Sequence, residues 1–446
     1  MKTYNVLNKL VTEVKVTENP YNFEPELLFD MAMRINKKRS FLFVSKVLGK
    51  HLAVAPQIPI MTGHLLAHRF LEIRQAEQQK TTARLVEALK QKTWLGQALE
   101  FARSQPLHSQ HPLHIIGFAE TATALGHAFF DAFTGDVHYI HTTRELLVDR
   151  EPTLSFEEEH SHASSHRLYA DASFFEQAEE VVLVDDEMTT GQTNMNIIRQ
   201  LYAAYPHIKL YTLVSILDWR SEAHEVAMHE LAAELQIKIG AVSLMKGQFT
   251  AMTTGELPTN EAQPLLAEEA DLQITSLAPV DTVTYRSLDT EERVYEASYF
   301  KGSGRFSLTT TEQCDYYASL QQVAEELKKQ RVGRSSLVLG TGEFMFAPMY
   351  IASHMGEGVS YHSTTRSPIY AHEDSLIYAK HMFKSAEYPG VINYLYNIPA
   401  GEYDDIFLVF ERILDKQALA KLVHQLQPLT KQVHIVTVGG EEHAKV

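Results

Sequence analysis

The chain has 446 residues, enough for two or three domains with a large core. Its 45% apolar and 22% charged residues are those of a globular chain, not a disordered one. Forty Lys and Arg against 56 Asp and Glu give a net charge of −16, which excludes a surface built to neutralise nucleic-acid phosphates. Cys314 is the single cysteine, so intramolecular disulfides and cysteine-rich metal knuckles are excluded too. No apolar run reaches membrane-spanning length, and the segment Met1 to Asn5 has no apolar signal core. The expectation is a cytoplasmic protein with no membrane partner.

Phe41 to Val44 predicts a strand. It lies in the segment 34–51, which carries Arg34, Lys37, Lys38, Arg39, Lys46 and Lys50 with no acid and ends in His51. Such a run is usually a solvated face. Because half of it is strand-like, Lys46, Lys50 or His51 is expected to reach an anionic site. Leu65 to Lys92 is periodic and predicts a helix. His114 to Gly117 predicts a short strand, Ala119 to Phe133 a helix, and Val137 to Ile140 a strand. Residues 145–168 are polar, acidic and histidine-bearing, without a clear period. Val181 to Val184 predicts a buried strand, Asn194 to Tyr205 a helix, and Tyr211 to Ile216 a strand. Residues 253–274 carry Gly255, Pro258 and Pro264 and read as a linker. Beyond it, Leu337 to Leu339 predicts a strand, Glu343 to Met355 a helix, and Ile406 to Phe410 and Val433 to Val438 strands. Strand and helix alternate throughout, so an open, mostly parallel sheet covered on both faces is the expected α/β architecture.

The strongest motif is Val181 to Thr193. Two acids, Asp185 and Asp186, stand at the end of an apolar strand, and Thr189, Thr190, Gly191, Gln192 and Thr193 lead into a helix. Ligands bind at this edge of α/β sheets. The loop offers hydroxyls, a glycine and helix N-terminal N–H groups, which suit a phosphate. The acids would repel that phosphate. They suit the vicinal hydroxyls of a sugar, or a cation beside them.

This segment resembles the phosphoribosyl-diphosphate (PRPP) motif of type I phosphoribosyltransferases. The resemblance implies Asp185 and Asp186 at the ribose hydroxyls and residues 189–193 around the 5′-phosphate. It implies Mg²⁺, held only indirectly by Asp185 and Asp186 through PRPP or water. Glu187 replaces the usual aliphatic residue and is a candidate base. Phe118, Ala119, Glu120 and Thr121 occupy the place of the family's diphosphate loop. Arg144, Lys46 and Lys50 are further candidate diphosphate contacts. Residues 145–168 occupy the place of a mobile loop that closes over substrate.

A second, degenerate copy is expected downstream. Gly117 to Glu120 aligns with Gly340 to Glu343, and Thr142-Thr-Arg144 with Thr364-Thr-Arg366. Phe410 and Glu411 stand where the acid pair would recur, and no Thr-Thr-Gly-x-Thr loop follows. Thr365-Arg-Ser-Pro368 is the signature of the TRSP domain. With the motifs at 41–51, 117–126 and 184–193, the chain resembles phosphoribosyltransferases of bacterial tellurite-resistance (ter) gene clusters.

The expected organisation is therefore a phosphoribosyltransferase-like domain over 1–252, a linker over 253–274 and a related TRSP domain over 275–446. The resemblance implies transfer of a phosphoribosyl group from magnesium-PRPP to a small acceptor in a nucleotide-like pathway. The alternatives are a PRPP-sensing regulator and a salvage enzyme releasing phosphoribose. Partners are the small molecules, a second copy of the chain or other ter-cluster proteins. Thr365, Arg366 and Ser367 either bind an anion at a second site, complete the first site across the interface, or cap a helix beside Pro368.

Overall fold

The computed structural model describes residues 1–36, 39–75, 80–157, 165–171, 173–254, 274–276 and 280–438. The expected linker thus falls almost wholly outside the described residues, as do Lys37, Lys38, His160 and His162.

The first half begins with an antiparallel pair, β1 (Lys2–Val6) and β2 (Leu10–Glu18), and a hairpin, β3 (Phe29–Met33) and β4 (Phe41–Ser45). Helix α1 (Gln57–Gln75) follows. Then come β5 (Leu113–Gly117), α2 (Ala122–Asp131), β6 (Val137–His141) and the short β7 (Leu146–Leu147). A hairpin of β8 (Leu154–Glu157) and β9 (Ser165–Leu168) precedes β10 (Glu180–Met188) and α3 (Gln192–Ala204). The half closes with β11 (Leu210–Asp218), α4 (Glu222–Leu235) and β12 (Lys238–Thr253).

The second half contains β13 (Ile274–Ser276), a hairpin of β14 (Thr282–Leu288) and β15 (Val294–Phe300), and β16 (Leu308–Thr309). Helix α5 (Thr310–Gln330) starts on a capping box of Thr309 and Glu312. It is followed by β17 (Ser336–Gly340), α6 (Phe346–His354) and β18 (Val359–Ser363). A hairpin of β19 (Lys380–Lys384) and β20 (Ile392–Tyr396), then β21 (Asp405–Phe410), α7 (Lys416–Leu426) and β22 (Gln432–Thr437), complete it.

Two sheets carry the structure. The larger runs β1-β2-β12-β11-β10-β5-β6-β16, with the five strands from β12 to β6 parallel. The smaller runs β13-β22-β21-β17-β18, all parallel. The order β11-β10-β5-β6 in one sheet matches β22-β21-β17-β18 in the other. Register matches as well: Leu113 pairs with Glu180, and Ser336 with Asp405. Counting along β10 and β21 from those pairs puts Phe410 opposite Asp185, Glu411 opposite Asp186 and Arg412 opposite Glu187. Both central strands are buried on both faces, as unbroken apolar runs covered by helices require.

The halves interlock rather than abut. Val54 pairs with Tyr361 of β18, and β16 pairs with β6 at Leu308 and Tyr139. Arg34, after β3, bridges to Ile369, while β14 pairs with β7. Gly49 and Gly304, at φ +69° and +85°, each lie against the matching tyrosine, Tyr361 or Tyr139; a Cβ there would come within 2.6 or 2.3 Å of the ring. At the interface the His127 ring stacks on Phe346 with centroids 3.8 Å apart.

Several expectations are sharpened. The helix expected over Leu65 to Lys92 is described as α1 up to Gln75 and as a helical segment over Lys80–Gln91, residues 76–79 lying outside the described residues. The helix expected from Glu343 begins at Phe346, because Thr341 and Phe344 first close a tight turn on each other. The unpatterned stretch 145–168 holds β7 and the β8–β9 hairpin.

Candidate active site

Strand β10 continues past its apolar stretch to place Asp185, Asp186 and Glu187 at the carboxyl edge of the larger sheet. Its neighbour β11 ends beside them, and Trp219 N donates to Met188 O at 2.7 Å to fix the turn. The Arg220 guanidinium pairs with Asp218, 2.6 Å away, behind that turn. Gly191 then takes φ +76° as the N-cap of α3, a conformation costly for residues with a Cβ. Gln192 N donates to Thr190 Oγ1 at 3.2 Å. The first-turn N–H groups of such a helix have no intrahelical acceptor, and its dipole favours an anion here.

The adjacent strand β5 ends at Gly117. A Cβ there would lie 2.6 Å from Ala122 O and 2.9 Å from the Tyr139 hydroxyl, so only glycine fits. Ala119 N donates to Thr142 Oγ1 at 2.8 Å, and the peptide bond Ala119–Glu120 is cis. Glu120 then meets three partners: Lys50 Nζ at 2.8 Å, Arg144 Nη1 at 3.5 Å and the Arg366 N–H at 3.4 Å. Lys50 is 1% exposed; burial lowers its pKa, and the Glu120 carboxylate opposes that shift.

These two loops enclose a cleft of about 400 Å³. Asp185 to Asn194 form one wall, and Ala119, Glu120 and Thr121 the floor. Arg34, Arg39, Arg144 and Arg366 bring positive charge to a site whose end strand is acidic. Arg39 Nη2 lies 2.5 Å from Glu187 Oε1. Burial raises the pKa of both Asp186 and Glu187, the first against its hydrogen bond with Asp185, the second against Arg39. Glu187 Oε2 and Asn194 Oδ1 are buried and meet no hydrogen-bond partner among the described residues. His51 also lines the cleft; burial, and next the Lys50 charge, hold its pKa well below the usual value, so the ring is neutral.

Residues 28–248 match the family PRTase_2, described as phosphoribosyl transferase, and residues 302–426 match the TRSP domain found C-terminal to it. The chain carries a phosphoribosyl transferase domain followed by a TRSP domain. Its fold is that of the type I phosphoribosyltransferases, with a second α/β sheet. Among solved structures the chain is similar to an adenine phosphoribosyl transferase from Trypanosoma brucei in complex with AMP, pyrophosphate and ribose-5-phosphate. That pair is 16% identical with a TM-score of 0.31, covering 55% of this chain and 87% of the other. It is also similar to an orotate phosphoribosyltransferase from Mycobacterium tuberculosis H37Rv in complex with PRPP, at 11% identity and a TM-score of 0.18, covering 43% and 90%. Among curated proteins, none matches.

In the phosphoribosyl transferase domain, Asp185, Asp186, Glu187, Thr189 to Thr193, Ala119, Glu120, Thr121 and Arg144 all line the cleft. Three expected diphosphate contacts, Phe118, Lys46 and Lys50, do not. Phe118 turns its ring into the core at 4% exposure, and its N–H donates to Val184 O at 3.1 Å. Lys46 donates its backbone N–H to Leu28 O and is absent from the cleft wall. Lys50 acts from beneath, through Glu120. Arg34, Arg39 and Asn194 were not singled out from sequence. The acid-free run held the first two, but strand periodicity says nothing about which residues a hairpin turns inward.

The TRSP motif does not cap a helix: Ile35 N donates to Pro368 O at 2.9 Å, and the chain continues irregularly to β19. Thr365, Arg366 and Ser367 line the phosphoribosyl transferase cleft. The closing-loop expectation is altered as well. His166 is buried, its Nδ1 3.0 Å from Thr142 Oγ1, and Arg167 lines a second cavity, between the two halves. Among the described residues no group of three or more His, Cys, Asp or Glu is arranged to hold a metal ion. No helix among them is long and apolar enough to cross a membrane.

Proposed function

We propose that the chain transfers a phosphoribosyl group from magnesium-PRPP to a small acceptor. One observation carries the reading: a phosphate-suited helix N-terminus, a carboxylate pair suited to a diol, and four arginines face a single cleft. Thr189 to Thr193 hold the 5′-phosphate through hydroxyls and N–H groups. Asp185 and Asp186 accept hydrogen bonds from the ribose hydroxyls. The loop 119–121 and Arg144, with Arg366 opposite, take the diphosphate.

The bond from C1 to the diphosphate oxygen breaks as positive charge builds on the ribose. Asp185 and Asp186 stabilise that charge, and Arg144 and the loop amides stabilise the departing anion. The acceptor's nucleophile attacks C1, and Glu187, whose pKa burial raises, takes its proton. Holding both reactants in line supplies much of the rate. The hard oxygen donors of Asp185 and Asp186, with the unpartnered Glu187 Oε2 beside them, fit magnesium carried in on PRPP or its waters. When bound, Mg²⁺ would offset part of the diphosphate's charge, with Asp185 and Asp186 holding it indirectly.

We also read the TRSP half as a degenerate copy of the first, supported by matched strand order and register, and its TRSP motif as completing the first cleft. A cytoplasmic, ter-linked route to a nucleotide-like product is the wider setting proposed.

Purified protein, PRPP, Mg²⁺ and a metabolite extract provide the test. Acceptor-dependent diphosphate release, with an acceptor gaining the mass of one phosphoribosyl unit, is expected. Thermal stabilisation by PRPP without turnover in any extract would replace this reading with a sensor.

A further inference from the structure

The carboxyl edge of the smaller sheet holds a cavity of its own, about 240 Å³, that the phosphoribosyl-transfer reading leaves unused. Its position matches the first cleft, but its chemistry differs. At the start of α7 the N–H groups of Leu414 and Asp415 both donate to Ala386 O, at 2.8 and 2.9 Å. Asp415 caps the helix with its own carboxylate, accepting from Ala418 N at 2.9 Å. Amides already used, beside a fixed negative charge, reject a 5′-phosphate there. The volume also falls below the roughly 300–1,000 Å³ of clefts that hold drug-sized ligands.

What remains is four arginines and an apolar wall set among three acids, Glu145, Asp289 and Glu387, of which Glu145 is paired with Arg412 and Asp289 with Arg293. Arg144, Arg167, Arg366 and Arg412 reach the cavity from both halves of the chain. Arg366 and Arg412 each lie over the Tyr388 ring, 5.0 and 5.1 Å from its centroid. Leu146, Val391 and Leu414 form an apolar wall. Buried polar atoms on the lining lack hydrogen-bond partners among the described residues: the Tyr388 hydroxyl and Arg412 Nε, while Glu387 Oε1 has only the Arg412 guanidinium, 3.6 Å away. Glu387 is 1% exposed, and burial raises its pKa to about 8, so near neutral pH it mostly carries a proton and does not repel an anion. Unsatisfied buried groups beside guanidinium forks mark a place where an oxyanion replaces lost hydration.

We propose that this cavity binds a small organic acid, a carboxylate on a compact apolar body, at a site separate from the PRPP cleft. The guanidinium groups take the carboxylate, and the Leu146–Val391–Leu414 wall covers the body. Arg144 and Arg366 also line the first cleft, so the two ligands compete for the orientation of the same two side chains.

The full-length chain is titrated by calorimetry with benzoate, acetate, succinate and the neutral isostere benzamide. Benzoate is expected to bind and benzamide not to. Leu146→Asp sets a negative charge at a rim residue that is 37% exposed, so the fold tolerates it. It is expected to weaken benzoate at least about tenfold. Val391→Trp fills the cavity and removes binding. Asp185→Asn with Asp186→Asn leaves benzoate binding in place. The proposal is overturned if benzoate binds Leu146→Asp and Val391→Trp as it binds the wild type. It is equally overturned if the Asp185/Asp186 variant loses benzoate, or if no acid of the panel binds up to millimolar concentration.

Discussion

The two sheet edges face the same chemical question and answer it in opposite ways. At the end of β10, Asp185, Asp186 and Glu187 stand at the cleft, with Arg39 the partner of Glu187. At the end of β21, the matching places hold Phe410, Glu411 and Arg412, all buried. There Arg305 bridges Glu343 and Glu411 at 2.5 and 2.9 Å, and Arg412 pairs with Glu145 and Glu411. Against the penalty of burial, Arg305 and then His141 hold the Glu343 carboxyl well below its usual range. One edge keeps carboxylates available to a ligand; the other spends them on internal cations. Loss of a site here means neutralisation by arginine, with the strand left intact.

The largest test of that contrast is catalytic. Asp185→Asn with Asp186→Asn should cut diphosphate release by at least about 10²–10³-fold with the fold intact, since it removes charge at the developing cation. Glu411→Gln, at the matching place, should leave turnover per folded molecule nearly unchanged and lower the melting temperature. Equal loss of turnover in both variants would erase the distinction between the edges.

Next comes stability. Arg305→Met strands Glu343 and Glu411 in the interior, and breaking a buried pair costs about 3–5 kcal/mol. Arg39→Met, at a partly exposed pair, should cost about 1 kcal/mol or less. Urea unfolding of both variants measures the gap.

A pH profile sharpens the second edge further. Burial raises the Glu387 pKa from 4.5 to about 8. The folded chain therefore keeps a proton that the unfolded chain gives up, and stability falls as pH rises through that window. Glu387→Gln should flatten the Glu387 part of the slope between about pH 4.5 and 8, measured by denaturant midpoints; an unchanged slope would refute the assignment.

A last contrast is between two glycines, Gly191 and Gly304. Alanine at φ +76° costs about 1–2 kcal/mol, and its Cβ would meet Met228 Cε at 3.1 Å and Arg220 Cδ at 3.2 Å. Weaker PRPP binding with modest loss of stability is expected. Gly304→Ala, pressed on the Tyr139 ring, should cost stability without touching PRPP affinity.

Much of this was legible in the residues. The strand–acid–threonine–glycine–helix series at 181–193 states its own geometry, because each residue type has a local reason to be there. The repeat of Gly-x-x-Glu and Thr-Thr-Arg located the second sheet. What escaped was long-range. The four-strand correspondence, the hairpins reaching across and the reciprocal roles of Lys50 and Arg305 depend on pairings between residues hundreds of positions apart. Phe118 was misread because a loop position looks alike whether its side chain faces ligand or core. The buried network of Arg305, Arg412 and four glutamates has no local pattern at all.

The Arg366 N–H rests on Glu120, and the Arg144 N–H rests on Glu343 at 2.8 Å, each half steadying the other's loop. In an assembly of identical subunits every substitution is written at both ends of such an embrace. Here each end has its own codon. Glu343 can turn toward Arg305 while its counterpart Glu120 lines the cleft on Lys50, and dilution cannot part them. Covalent linkage lets one surface give up its chemistry and remain as the permanent scaffold of the other.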